Sequence, residues 1–211
     1  WNIENFMKMF DQDRMPERSR ERTELWRDEE DQYEVARTIM DPAFNPDILV
    51  IQECCDEAML NLFNKKWLDE TYTFVKTFHT NSDGQYLGIM AKKGFTPLQV
   101  KEYYQDPDPV EDRRIAYAKR SYNDEGENKL FCRGPGFVLF QTPEGNKVWV
   151  GTTHSKSKSG NSKAVTEWRI REFERTREIC GELLGQDQTD HLVILGDFND
   201  DFGKDSYEQS L

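Results

Sequence analysis

The sequence has few of the residues that form disulfides or structural zinc sites, and it has no long apolar segment of the kind that anchors proteins in membranes. It has only four cysteines in 211 residues. None lies in a Cys-x-x-Cys pair or at regular spacing, so neither a disulfide framework nor a structural zinc site is indicated. No apolar run approaches the roughly 18 residues needed to cross a bilayer. The hydrophobic share, 36%, is low, but 13 Phe, 8 Tyr and 5 Trp can fill a core, which excludes wholesale disorder.

Basic residues are also scarce. The chain has 28 Lys and Arg against 40 Asp and Glu, for a formal net charge of −12. This balance excludes the general basic surface that binds nucleic acid without specificity. An anionic substrate must therefore be held by a local group of cations, such as Lys156, Lys158, Lys163 and Arg169, or by a metal ion.

Strands and helices alternate along the chain. The continuous apolar run at 48–51 and the apolar-rich segment 191–195 are typical of strands buried on both faces. Segments 137–141 and 147–153 predict a hairpin, and 163–184 predicts a long amphipathic helix that stops at Gly185. We expect one α/β or α+β domain over residues 1–211.

The N-terminus starts abruptly. The chain begins without Met, and residues 1–3 have the pattern of the end of a strand, so we expect a trimmed N-terminus. We further expect a monomeric, soluble protein, either cytoplasmic or secreted. The adjacent Cys54 and Cys55 follow an apolar run and are predicted to be buried thiols.

Four polar clusters stand at the ends of predicted strands, where separate segments of an α/β protein can converge on one pocket. They cover residues 1–5, 52–53, 153–158 and 196–200. Together they offer carboxylates, amides, one histidine and lysines. Oxygen ligands of this kind suit Mg²⁺ or Mn²⁺, and the cations suit phosphate oxygens. The set predicts metal-assisted hydrolysis of a phosphoester.

Six stretches also resemble, in the same order along the chain, motifs of the endonuclease/exonuclease/phosphatase family, the DNase I-like group. They are WNIENF (1–6), ILVIQE (48–53), GIMA (88–91), RGP (133–135), THSKSK (153–158) and GDFND (196–200). The THSKSK variant looks most like bacterial members. The resemblance implies a four-layered α/β sandwich of two packed mixed sheets flanked by helices, with Mg²⁺ or Mn²⁺ as cofactor.

The resemblance assigns roles to five residues. Glu53 is the metal ligand, and a bound cation would offset the cost of a carboxylate at the end of a buried strand. Asn2 belongs to the metal and phosphate network. Asp197 aligns or deprotonates the attacking water, and Asn199 holds a phosphate oxygen. These two are two positions apart, so we expect them on one side of an extended segment. His154 donates to a non-bridging oxygen and steadies the transition state.

Three cations have weaker assignments. Lys156 and Lys158 are predicted either to contact the substrate phosphate or to lie in a solvated loop. Arg133 is predicted either to contact substrate or to pair with a nearby carboxylate. His79 and His191 are expected to be ordinary residues with no role in the site.

The sequence departs from the family pattern after Asn199. Family members carry a further strand or two and a Ser-Asp-His type of motif, which supplies the general base, and residues 200–211 contain neither. A domain without them is expected to be catalytically crippled and to leave one sheet edge uncovered. We expect the native protein to contain this motif.

The function predicted is a Mg²⁺- or Mn²⁺-dependent phosphoesterase, foremost a nuclease or general phosphodiesterase. Its substrate would be a nucleic acid, a nucleotide or a phospholipid headgroup. Two alternatives remain open: a phosphomonoesterase or lipid phosphatase of the same fold, and a binding module that kept the fold without the chemistry.

Overall fold

A computed structural model describes residues 2–6, 29–80, 85–108, 129–158, 163–186, 189 and 191–200. The strands are β1 (Asn2–Phe6), β2 (Ile48–Cys54), β3 (Tyr72–Phe78), β4 (Tyr86–Lys92), β5 (Thr96–Glu102), β6 (Gly136–Gln141), β7 (Lys147–His154) and β8 (Leu192–Asp197). The helices are α1 (Glu29–Met40), α2 (Glu57–Trp67) and α3 (Lys163–Gln186).

The first sheet has the order β1-β2-β4-β3. β2 is central and apolar, as its sequence predicts, and pairs parallel with β1 and antiparallel with β4. Its alternate side chains serve two cores: Leu49 and Ile51 pack with α1 and α2, whereas Val50 faces the second sheet. Asp56 begins α2 by accepting a hydrogen bond from the backbone N–H of Met59 at 2.9 Å.

The second sheet has the order β5-β6-β7-β8. The predicted hairpin is confirmed as β6 and β7, and β8 runs parallel to β7. Val138, Phe140 and Val150 pack against the first sheet. The opposite face carries Trp149, which packs with α3. Helices therefore cover the outer face of each sheet, and the predicted four-layered sandwich is confirmed.

Some predicted boundaries were wrong. β1 continues to Phe6 instead of ending at residue 3, and α3 runs one residue past Gly185. β5 was not predicted, because nearly all of it is exposed and it lacks the apolar alternation of a half-buried strand. It also contains Pro97, which an edge strand tolerates.

The cysteines are free thiols. Cys54 and Cys55 are buried, as predicted, and burial raises the pKa of both thiols. Cys132 is buried and Cys180 half-buried. Their burial makes them poor nucleophiles and poor metal ligands.

β8 is an edge strand within the described ranges, where it pairs with β7 alone. The prediction that this strand is buried on both faces is wrong, because Val193 is 40% exposed and Leu195 43% at the edge of the sheet. The predicted uncovered sheet edge concerns segments beyond residue 200, which lie outside the described residues. No helix in the described part of the chain is long and apolar enough to cross a membrane.

Candidate active site

Three strand ends bring Glu53, His154 and Asp197 together. His154 ends β7, and its register partner on β8 is Asp197. The His154 Nε2 atom lies 3.7 Å from Asp197 Oδ2 and 3.8 Å from Glu53 Oε1. Below them, Gln52 Nε2 donates to Thr152 Oγ1 at 3.3 Å and links the two sheets. Predicted residues from segments far apart in sequence therefore form one cluster.

Glu53 has an unusual backbone conformation. Its φ is 59°, in the left-handed region that non-glycine residues rarely adopt. The pairing of β2 with β4 also shifts register between Ile51 and Cys54. Strain of this kind persists where the surrounding structure holds it, and it is concentrated at functional sites. The side chain of Glu53 is 12% exposed.

His154 is a neutral imidazole at physiological pH. Burial, and then the charge of Arg133, lowers its pKa from 6.5 to about 3, against an opposing effect of Asp197. Its Nδ1 atom is buried without a hydrogen-bond partner among the described residues. Because both carboxylates face Nε2, they favour the tautomer with the proton on Nε2. This N–H is suited to donate to an anionic oxygen.

The lowered pKa of His154 predicts a pH-dependent stability. Between about pH 6.5 and 3 the unfolded chain binds a proton at His154 that the folded protein does not. Stability should therefore fall as the pH drops below about 6.5, with a slope of at most about 1.4 kcal/mol per pH unit from this residue. Urea denaturation in EDTA at several pH values measures it. We expect a shallower dependence in His154→Gln and the wild-type dependence in the exposed control His79→Gln; equal slopes for wild type and His154→Gln would contradict the assignment.

Asp197 and Asn199 are arranged by a turn. β8 ends at Asp197, whose Oδ1 accepts the backbone N–H of Asn199 at 2.8 Å. Asn199 has a φ of 51°, which asparagine tolerates. The expectation that both lie on one side of an extended segment is therefore wrong, because the chain leaves the strand between them. Asn199 Nδ2 donates to the carbonyl of Ser155 at 2.8 Å, which holds the turn against the end of β7.

The predicted cations contact protein groups. Arg133 donates from Nη1 to Gln85 Oε1 at 2.9 Å and from Nη2 to the Ser155 carbonyl at 3.4 Å. The Nζ atom of Lys156 donates to the carbonyl and hydroxyl of the next residue, Ser157. The ammonium of Lys158 lies 2.7 Å from Asp200 Oδ1. Their contacts with a substrate stay a prediction.

Asn2 is placed by its backbone alone. It pairs with Gln52 in the β1–β2 register, one position before Glu53. Its side chain lies outside the described residues, so its role in the metal and phosphate network stays a prediction. His79 is exposed beside Glu102, and His191 is exposed just before β8.

Two buried charged residues of α3 hold the site in a way that the sequence did not predict. Glu172 was not singled out, and the expectation that Arg169 belongs to a local group of cations for an anionic substrate is wrong, because its side chain is buried and bonded to protein groups. Arg169 and Glu172 hydrogen-bond to the loops that carry Arg133, Asn199 and the residues after His154. The signal was available, since Glu172 interrupts the apolar spacing of the helix. It was obscured by the many other charges of this segment.

A divalent cation fits this site only in part. Within the described ranges, no three His, Cys, Asp or Glu side chains are grouped so that they could hold a metal ion. Glu53, however, offers an oxygen ligand next to an imidazole that contributes no positive charge. Mg²⁺ is commonly held by one or two carboxylates together with waters and substrate phosphates. The donor chemistry therefore suits Mg²⁺ or Mn²⁺ better than zinc.

Solved structures share this architecture. Truncated Caenorhabditis elegans TDP2 matches with a TM-score of 0.56 and 18% identity over 81% of this chain and 56% of that chain. The human Nocturnin catalytic domain with bound sulfate matches with a TM-score of 0.57 and 15% identity over 95% of this chain and 62% of that chain. ANGEL2, described as a 2',3'-cyclic phosphatase, matches with a TM-score of 0.56 and 16% identity over 80% of this chain and 43% of that chain.

These similarities establish the DNase I-like fold for this chain. The chain spans between 43% and 62% of the length of the three structures. Neither a protein-family model nor a curated protein sequence matches it.

Proposed function

We propose that the protein is a divalent-metal-dependent hydrolase of phosphoester bonds. The observation that carries the proposal is the cluster of Glu53, His154 and Asp197, assembled from three strand ends of a DNase I-like fold. A buried neutral histidine between two carboxylates is a costly arrangement for a structural site. This arrangement suits a site that binds a phosphoryl group together with a divalent cation.

In the proposed reaction each residue acts on a defined atom. Glu53 would hold Mg²⁺ or Mn²⁺, with Asn2 in the same network, and the bound cation would supply charge stabilisation to the phosphoryl group. Water attacks phosphorus in line as the bond between phosphorus and the leaving oxygen breaks. Asp197 orients this water and accepts its proton, and the leaving oxygen takes up a proton from solvent. His154 donates its Nε2–H to a non-bridging oxygen, where negative charge grows in the transition state. Asn199 orients a second phosphoryl oxygen.

The substrate class we favour is a phosphodiester in a nucleic acid or nucleotide. ANGEL2 is described as a phosphatase of 2',3'-cyclic phosphates, which are phosphodiesters, and Nocturnin holds sulfate, an anion with the tetrahedral shape of phosphate. The net charge of −12 disfavours tight non-specific binding to duplex DNA. The comparisons name a nematode and a human protein, so the expected bacterial-type membership rests on the THSKSK motif alone.

Hydrolysis assays test this proposal. We would assay the full-length protein on bis-p-nitrophenyl phosphate, p-nitrophenyl phosphate, a 2',3'-cyclic nucleotide and supercoiled plasmid with Mg²⁺, Mn²⁺ or EDTA. We expect metal-dependent cleavage of the diesters, lost by at least about a hundredfold in His154→Ala and Asp197→Ala.

A matched control separates chemistry from folding. His79→Ala removes an exposed imidazole outside the cluster and should keep full activity. Cleavage of the monoester alone would replace the diesterase with a phosphomonoesterase. Failure to cleave any substrate with either metal would overturn the proposed activity and favour a binding module.

A further inference from the structure

A carboxylate is buried on the side of α3 that packs on the second sheet. Val165, Trp168, Ile179 and Leu183 form the buried apolar stripe of this helix, and Glu172 stands on the same stripe with 3% of its surface exposed. Burial raises the pKa of Glu172, while hydrogen bonds from two backbone N–H groups and nearby guanidinium charges oppose the rise. A leucine at this position would pack without that cost.

Glu172 bridges two segments of the candidate site. Its Oε1 atom accepts the backbone N–H of Cys132 at 2.7 Å, and its Oε2 atom accepts that of Lys156 at 3.0 Å. Cys132 directly precedes Arg133, and Lys156 lies two residues after His154. One side chain therefore fixes the spacing between the loop before β6 and the segment that leaves β7.

Arg169, one turn earlier on α3, binds the same segment from the other side. Its Nη1 atom donates to the carbonyls of Lys156 at 2.9 Å and Asn199 at 3.0 Å. Its Nη2 atom donates to Asp200 Oδ2 at 2.7 Å. Arg169 is 6% exposed. The two α3 residues thus hold both the N–H and the carbonyl of Lys156, together with the turn after Asp197.

The residue between His154 and Lys156 completes the connection. The backbone N–H of Ser155 donates to the carbonyl of Asp197 at 3.0 Å. The Ser155 carbonyl accepts bonds from the side chains of Asn199 and Arg133. A displacement of the 155–156 segment would therefore move each of the strand ends that contribute to the second-sheet half of the site.

We propose that Glu172 and Arg169 are positioning residues that hold Arg133, His154 and the Asp197–Asn199 turn at their working separations. This inference rests on the proposed phosphoesterase function. The hydrogen bonds that the structure gives Glu172 and Arg169 within the described ranges go to backbone groups and to the Asp200 carboxylate, so both act through the segments they bind. We call them the helix brace.

Glu172→Gln tests the brace because it removes one of the two hydrogen-bond acceptors that the carboxylate provides. A carboxylate offers two acceptor oxygens, whereas a glutamine amide presents one acceptor and one donor group. One backbone N–H, of Cys132 or Lys156, would then face an NH₂ group and lose its partner. Because small misplacements of reacting groups can reduce rates about a hundredfold, we expect kcat to fall about 10- to 100-fold. We expect KM to change less than about threefold, because the charges that attract the substrate remain.

Kinetics and amide exchange together test the brace. Glu172→Gln and Arg169→Lys would be compared with two controls on the same helix: Glu174→Gln, an exposed carboxylate, and Leu183→Ala, a buried residue that lowers stability without touching the site. All variants would be assayed on a cleaved diester at a temperature where each is folded. Hydrogen exchange by NMR would follow the amides of Cys132 and Lys156, with Val150 as the reference within β7.

The expected result is a selective loss of kcat and faster exchange at Cys132 and Lys156 in both brace variants. Both controls should keep kcat within about twofold, and Val150 should exchange at the wild-type rate in the brace variants. Wild-type kcat in Glu172→Gln and Arg169→Lys, or an equal kcat loss in Leu183→Ala, would overturn the inference.

The failure of the proposed function gives a different result. A wild-type protein that cleaves no diester would overturn the phosphoesterase assignment and, with it, a brace acting in that reaction. Exchange would then still show whether Glu172 and Arg169 hold the two loops. Unchanged exchange at Cys132 and Lys156 in both variants would overturn the brace whatever the enzyme activity.

Discussion

Replacing Glu53 with glutamine is expected to abolish metal-dependent turnover while leaving the metal-free protein at least as stable as wild type. The substitution keeps the shape of the side chain and removes one of two carboxylates that face a neutral imidazole. Charge stabilisation by a catalytic cation is worth several kcal/mol, so kcat/KM should fall by about a thousandfold or more. The gain in stability should be at most about 1 kcal/mol, as is common when a functional charge is removed.

Thermal unfolding without Mg²⁺ measures the stability of the metal-free protein, and unfolding with Mg²⁺ measures whether Glu53 is needed to bind the cation. A ligand that binds the folded protein stabilises it by about 2.7 kcal/mol at a hundred times its Kd. We expect a Mg²⁺-dependent rise in the Tm of wild type that disappears in Glu53→Gln.

The matched control for Glu53 is Glu57→Gln. Glu57 lies at the start of α2, where its carboxylate is 2.9 Å from the ammonium of Lys76 and accepts the backbone N–H of Thr77. This variant should lose some stability but keep both turnover and the Mg²⁺ effect. A Mg²⁺-dependent rise in Tm that survives in Glu53→Gln would show that the cation binds elsewhere.

Substituting Gly196 with alanine is expected to damage both the fold and the site. Gly196 pairs with Thr153 in the β7–β8 register, immediately before the pair of His154 and Asp197. A Cβ atom at position 196 would overlap the backbone carbonyl oxygen of Thr153. Backbone cannot rotate away as a side chain can, so the two strands must separate. We expect a loss of about 1–3 kcal/mol in unfolding free energy and a larger proportional loss of activity.

A second glycine serves as a control, because the same substitution there is expected to raise the unfolding free energy instead of lowering it. Gly181 lies in the interior of α3, is exposed, and an added Cβ there meets no atom within 4 Å. Alanine at this position should raise stability by about 1 kcal/mol, since glycine is a poor helix former. Urea denaturation and diesterase assays of both variants test the pair. Wild-type stability and activity in Gly196→Ala would contradict the close strand approach.

The fold was predictable because most of its strands carry local signals. The apolar runs of β2 and β8 and the turn between β6 and β7 are patterns within a few residues of each other. The end of each apolar run also located Glu53, His154 and Asp197, since polar residues follow where burial stops. β5 had no such signal, because its exposed position imposes no apolar pattern on the sequence.

The backbone conformations and side-chain pairings within the site could not be predicted, because they depend on contacts between residues that are distant in the sequence. The left-handed backbone of Glu53, the turn that separates Asp197 from Asn199, and the pairing of Lys158 with Asp200 are not encoded in any spacing rule. Glu172 is the clearest case: its partners lie 40 and 16 residues away. In a segment rich in charges, only the packing of α3 on the second sheet distinguishes this buried acceptor from its solvated neighbours.

The amino-acid pattern thus determined which segments form the two sheets and which polar residues stand at the strand ends, since both follow from local burial and periodicity. The parallel alignment of β7 with β8 and the stacking of the two sheets decided that His154 meets Asp197 and Glu53, and that its imidazole stays neutral. Those properties arise from desolvation and charge in an assembled interior, which exists only after segments far apart in the chain have packed together.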